Sequence, residues 1–184
     1  MKILLMSDNH GRWPKVHELV EYYRPQVDLI LHCGDSEFAP DDPVWEKVDA
    51  VVTGNNDYDP EYPDELIINT RQGRIFLTHG HFHNVYFNSK RMVKAAHDNH
   101  CQFAFHGHTH VAYAKIEDGV LLCNPGSLNY SRGTLPYRTY AILTFEPQTI
   151  KVEFYDDDKH RLDQLTQVFD RNLLEEAGHD TSQN

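Results

Sequence analysis

The sequence predicts an α/β domain, and three observations carry that prediction. Residues 2–32 run apolar, then amphipathic, then apolar again, the pattern of a βαβ unit. The last third of the chain changes to short strand-like runs separated by tight-turn residues. Polar clusters sit just behind apolar runs at Asp8-Asn9-His10, Gly34-Asp35, Gly54-Asn55-Asn56-Asp57, Thr78-His79-Gly80-His81 and Gly107-His108-Thr109-His110. Open α/β folds bind ligands outside the carboxyl ends of their strands, so these clusters predict one composite site.

In order, residues 2–6 read as a short strand covered on both faces. Val16, Leu19, Val20 and Tyr23 fall at i, i+3, i+4 and i+7, an amphipathic helix with Pro14 in its first turn and Pro25 at its end. Residues 28–32 form a second buried strand, which a right-handed crossover sets parallel to the first. A turn-rich, briefly helical stretch at 40–47 precedes a third strand at 48–53, and 58–64, with Pro60 and Pro63, is a loop. Residues 66–69 and 74–77 pair as a hairpin. Asn88 caps a helix running to about Asn99, with Met92, Ala95 and Ala96 as its apolar stripe. A strand at 103–105 delivers the Gly107–His110 cluster.

Glu117-Asp118-Gly119 turns a hairpin of 113–116 and 120–122, since Asp-Gly suits the tight turn. Glu146-Pro147-Gln148 turns another, of 138–145 and 149–155. The spacing of Leu162, Leu165, Phe169 and Leu173 predicts a closing amphipathic helix, and 177–184 a polar, frayed tail. With no repeat or linker, one domain over 1–184 is expected, in which 157–184 is the C-terminal helix and tail.

Composition narrows the function. A net charge of −11 argues against a general nucleic-acid groove, which needs a basic stripe. No apolar run approaches the roughly 20 residues of a membrane span, and the apolar start stops at Ser7-Asp8, too short for a secretory leader. A cytoplasmic location is therefore expected. Cys33, Cys101 and Cys123 are widely spaced and odd in number, which fits reduced, buried thiols.

Asp8, His10, Asp35, Asn55, His79, His108 and His110 offer four imidazoles, two carboxylates and an amide oxygen. That exceeds what one ordinary transition-metal centre takes and suits two ions sharing a carboxylate. With no thiolate among them, Mn²⁺, Ni²⁺, Zn²⁺, Fe or Mg²⁺ are the fitting ions. Two ions roughly 3.5–4 Å apart can clamp both the attacking and the leaving oxygen of an in-line displacement, the chemistry of phosphate esters.

The five blocks DNH, GD, GNND, THGH and GHTH, in this order, resemble those of the calcineurin-like metallophosphoesterase superfamily. Small size and the later turn Asn124-Pro125-Gly126-Ser127 make the chain most similar to the bacterial YfcE-like phosphodiesterases, over nearly all of residues 1–156. The resemblance implies a two-sheet β-sandwich flanked by α-helices, in αββα layers. It implies two divalent cations per chain, Mn²⁺ foremost. Asp8, His10 and His110 would hold one cation, Asn55, His79 and His108 the other, with Asp35 between. Asn55, His108 and His110 would face the phosphoryl group, with Asn55 and Asn56 as substrate contacts. The implied reaction is hydrolysis of a small phosphate ester, a diester by family preference, through in-line attack by a metal-bridging hydroxide.

Many superfamily members carry a histidine at the place of Asn56, thought to serve the leaving group. An amide donates a hydrogen bond but delivers no proton at neutral pH. His81 or His83 is the alternative proton source. Asp57 is a candidate to orient a ligand histidine or to cap a turn, and His32 is expected to be a satisfied core histidine. Arg132 and Arg138 are candidate phosphate contacts. Tyr58, Tyr62, Phe82, Tyr86, Phe87, Tyr130 and Tyr137 are candidates for a pocket lining or for a contact between copies of the chain. The competing class is a protein-interaction scaffold on the same fold, as in the retromer subunit of this superfamily, which has lost part of its metal set. Here none of the seven ligands is missing. A nuclease like the larger repair members is disfavoured by the acidic charge.

Overall fold

Side chains of the first strand leave it in two directions, Ile3 and Leu5 one way, Leu4 and Met6 the other, and all four are fully buried. A strand apolar on both faces must be covered on both, and that requirement sets the layering. The structure, a computed structural model, describes residues 1–174. In one sheet, β1 (Lys2–Met6) pairs in parallel with β2 (Leu29–His32), which pairs in parallel with β3 (Ala50–Val51). In the second sheet, β4 (Glu65–Thr70) and β5 (Gly73–Thr78) form the expected hairpin, and β6 (Phe103–Phe105) joins β5 in parallel. The hairpin of β7 (Tyr113–Glu117) and β8 (Val120–Asn124) completes that sheet in the order β4-β5-β6-β8-β7. The chain then returns to the first sheet with β9 (Thr139–Phe145), antiparallel to β1, and β10 (Thr149–Asp156).

Ile3, Leu5 and Leu31 of one sheet meet Ile75, Leu77, Phe103, Phe105 and Leu121 of the other in a common core. Helix α1 (Trp13–Tyr23) covers the first sheet's outer face, with Val16, Leu19, Val20 and Tyr23 against Leu4, Met6 and Ile30. Helix α2 (Lys90–Asp98) covers the second sheet through Met92, Val93 and Ala96, packed on Phe76, Ala104 and Leu122. This is the αββα sandwich. Both residues of the Asp118-Gly119 turn have positive φ, 46° and 75°, as the tight hairpin requires.

Two expectations are corrected. The third strand is shorter than 48–53. Only Ala50 and Val51 form it, while the amides of Val48 and Thr53 bond to Trp45 and Pro63 carbonyls instead. Among the described residues the closing helix is absent. Residues 163–165 form a 3₁₀ turn, Gln167–Asp170 a strand, β11, antiparallel to β10, and Arg171–Leu173 a second 3₁₀ turn. Helical spacing lost because the free edge of β10 offered a ladder of unpaired main-chain groups, and Phe169 settles opposite Ile150 there. Residues 177–184, expected as the tail, lie outside the described residues.

Candidate metal centre

Strands β1, β2 and β3 run in parallel, as do β5, β6 and β8, so the loops that follow them gather at one end of the sandwich. The residues entering that end are held in a backbone conformation that side chains other than glycine avoid. Asp8, His10, Asp35, His108 and His110 have φ of 54°, 44°, 52°, 67° and 57°. Each such turn costs on the order of 1 kcal/mol and persists only where its surroundings enforce it. Here the Asp8 and His10 amides donate to the carbonyls of Gly34 and Asp35 at 3.0 and 3.1 Å, and the Ser127 hydroxyl donates to the Asp8 carbonyl at 2.8 Å. Gly107 and Gly54 are there for closeness. A Cβ at Gly107 would lie 1.9 Å from Ser7 Oγ and 2.4 Å from Asp8 Oδ2, and one at Gly54 would lie 2.0 Å from Asp35 Oδ1.

Five of the seven expected ligands fall into two donor groups. Asp8, His10 and His110 bring ligand atoms within 4.8 Å of one another, and so do Asp8, Asp35 and His79. Asp35 Oδ2 lies 3.4 Å from His79 Nε2 and 3.7 Å from His10 Nε2, between histidines of the two groups. Asp8 belongs to both groups. Asn55 Oδ1 sits 3.2 Å from His79 Nε2, and the His108 ring packs 5.0 Å from the His79 ring. The His108 amide donates to Asp8 Oδ2 at 3.0 Å, beside the Ser7 hydroxyl at 2.6 Å. Asp8 Oδ1 has no hydrogen-bond partner although it is buried, and His110 Nε2 lies 3.1 Å from it.

Three of the four imidazoles are turned so that their Nε2 lone pairs face inward. His10 Nδ1 pairs with Glu37 Oε1 at 2.7 Å, His79 Nδ1 donates to the Cys33 carbonyl at 2.7 Å, and His110 Nδ1 donates to the Tyr130 carbonyl at 3.1 Å. A proton kept on Nδ1 leaves Nε2 as a ligand atom, which is how metal-binding histidines are oriented. Burial pushes the Asp8 carboxyl up, but His110 and His79 outweigh it and hold Asp8 below the ordinary carboxylate value. Asp35 lies well below that value for the same reason, against its burial, through His79 and the Asn56 donors. Burial opposes charge on His79, yet Asp35 and Asp8 raise it above the ordinary imidazole value. The field between the carboxylates thus favours positive charge. Burial, helped by His79, lowers His108 to about 4, which keeps it neutral. An orphaned carboxylate oxygen, inward lone pairs and a cation-seeking field fit divalent cations.

Other candidates sort themselves. Asn56, expected to contact substrate, gives its backbone and side-chain N–H to Asp35 at 2.8 and 2.7 Å, so its donors orient that carboxylate. Asp57 caps turns, accepting from the amides of Gly54 and Glu37 at 2.8 and 2.7 Å. His81 stands near the cluster, its ring 5.4 Å from His79, whereas His83 turns to Glu65 at 3.3 Å. His32 is the satisfied core histidine, bonded to Asn9 Oδ1 at 2.8 Å and accepting from the Gly34 amide. Cys33 and Cys123 are buried in the core, and burial raises both thiols. Arg138 donates to the Asn129 carbonyl at 2.6 Å and lies 3.6 Å from Asp157, outside the cluster.

Reading by sequence missed Glu37, and it missed the work of the Asn124–Ser127 turn. Asn124 Nδ2 donates to the Gly107 carbonyl and Thr109 Oγ1 at 2.8 and 3.0 Å, tying β8 to the histidine loop. The signal for that turn was its position, behind a strand like the five clusters.

Residues 1–148 match the family model described as the calcineurin-like phosphoesterase superfamily domain. The chain is 33% identical over 165 residues to the protein named "Probable metallophosphoesterase YsnB" of Bacillus subtilis, covering 90% of this chain and 96% of that one. It superposes with a TM-score of 0.89 on the crystal structure of an uncharacterized protein, described as a predicted phosphoesterase, from Streptococcus pneumoniae, at 35% identity over 92% of this chain and 97% of that one. The wild-type Vps29 of Entamoeba histolytica complexed with zinc shares the fold, with a TM-score of 0.73 at 19% identity, over 94% of this chain and 100% of that one.

Proposed function

The chain belongs to the calcineurin-like phosphoesterase superfamily, with its small bacterial YfcE-like members, and we propose that it is a dinuclear metal-dependent phosphodiesterase. One observation carries this reading: two donor groups share the buried Asp8, whose Oδ1 has no hydrogen-bond partner beside inward-facing imidazoles. Asp8, His10 and His110 would hold one cation, and Asn55, His79 and His108 the other, with Asp35 between. When bound, the cations supply Lewis acidity, activating the attacking water and neutralising charge on the phosphoryl oxygens.

The chain's own groups do the rest. Asn55, His108 and His110 face the phosphoryl group, and the Asn55 amide orients its oxygens. Asn56 holds the Asp35 carboxylate through two N–H donors and keeps it ionised. Because Asn56 cannot release a proton, esters with good leaving groups suit the site best. Preference for diesters rests on the family.

Chelated protein given Mn²⁺, Ni²⁺, Zn²⁺ or Mg²⁺ singly should hydrolyse a p-nitrophenyl phosphodiester faster than the matching monoester. Absence of turnover with every metal, despite two ions bound per chain, would reject the enzyme and leave a metal-holding scaffold.

A further inference from the structure

Arg132 stands astride the two histidines of the Gly107–His110 loop. Its amide donates to the His110 carbonyl at 3.1 Å. Its guanidinium reaches two tyrosines: Nη1 donates to the Tyr86 hydroxyl, and Nη2 to the Tyr130 hydroxyl at 2.5 Å. Each tyrosine packs on one expected ligand. The Tyr86 ring lies 4.7 Å from the His108 ring, its hydroxyl donating to the His108 carbonyl at 3.0 Å, and the Tyr130 ring lies 4.7 Å from the His110 ring. Both tyrosines are about half exposed, so the guanidinium sits at the rim of the cluster.

The charge there is uncompensated. Among the described residues no carboxylate forms an ion pair with Arg132, in a chain of net charge −11, whereas Arg138 has one with Asp157. A guanidinium has five N–H donors, and the tyrosines take two. Two rigid phenols therefore pre-aim a cation with spare donors beside the cluster, an arrangement that suits phosphate oxygens.

Resting on the phosphoesterase reading, we propose that Arg132 is a substrate-binding residue that takes a non-bridging oxygen of the phosphoryl group, with Tyr86 and Tyr130 as its positioning residues. Arg138, the other arginine singled out in the sequence, is engaged elsewhere and has no such role.

The test titrates inorganic phosphate into Mn²⁺-loaded protein by calorimetry and measures kcat and KM for the p-nitrophenyl diester. Arg132→Gln should weaken phosphate by about tenfold or more and raise KM in parallel, with Mn²⁺ affinity unchanged. Arg132→Lys should recover part of the loss, since it restores charge but not the planar fork. The double variant Tyr86→Phe, Tyr130→Phe keeps the charge and should still weaken phosphate, by about threefold. Wild-type phosphate affinity in Arg132→Gln would overturn the assignment, and so would loss of bound Mn²⁺ in that variant. Failure of the enzyme reading is distinct: a wild type that holds Mn²⁺ and turns over no ester rejects catalysis, while the phosphate titration still decides Arg132.

Discussion

His10 and His110 contribute to the same donor group but are held by different means. The His10 ring is oriented by a side chain, Glu37, itself partly open to solvent, whereas His110 and His79 are oriented by the main-chain carbonyls of Tyr130 and Cys33. A carbonyl is the same whichever residue carries it, so substitution at Tyr130 or Cys33 leaves that hydrogen bond available. A carboxylate can be removed by one mutation. The lesson is that the His10 corner is the one whose support is open to change, and the His79 corner the one built into the backbone.

The largest effect should come from a group that both corners share. Asp35→Asn weakens the carboxylate lying between His10 and His79, and turnover should fall by at least about a hundredfold with metal binding impaired. Retained wild-type turnover would remove Asp35 from the centre.

Glu37→Gln sharpens the contrast directly. It should lower affinity for one cation by about tenfold to a hundredfold and leave the second bound, read as two separated steps in a metal titration. Equal weakening of both sites would show that Glu37 does not support the His10 corner alone. Within the same donor group, Tyr130→Phe should leave metal affinity within about twofold of wild type, because it keeps both the carbonyl that holds His110 and the ring packed on it. A larger loss of metal there would show that the Tyr130 hydroxyl also supports His110.

A smaller effect concerns stability. His106 is buried between the Tyr113 hydroxyl, 2.7 Å from Nε2, and the Gly107 carbonyl, 3.0 Å from Nδ1, and burial lowers it to about 4 from 6.5. The unfolded chain takes up a proton near its ordinary value while the folded chain does not. Stability is therefore complete above about pH 6.5 and falls as pH drops toward 4, by about 2 kcal/mol per such histidine between pH 7 and 5. Denaturant midpoints of chelated protein should move down over that window, and His106→Gln should remove its share of the slope. An unchanged slope in the variant would show that other groups carry the acid sensitivity.

Much of the fold was legible along the chain. The two-sided apolar runs around β1 and β2 and the stripes of α1 and α2 announce their layers, because each pattern is local and repeats with the period of its element. The strand β11 was not. Leu162, Leu165, Phe169 and Leu173 keep a helical spacing, and only the open edge of β10, distant in sequence, turns that segment into a strand. The site divides in the same way. Asp8, His10, Asp35, Asn55, His79, His108 and His110 could be named as ligand types behind apolar runs, since a metal centre needs particular side chains. What holds them could not. The Cys33 and Tyr130 carbonyls have no signature in a sequence, because every residue carries the same main-chain group. Arg132 and Arg138 likewise stand as equals on paper until folding sends one to Asp157 and brings the other between Tyr86 and Tyr130. Residue chemistry and strand order determined which groups meet at the centre. Packing between distant segments alone decided which way each one faces and which charge is left free.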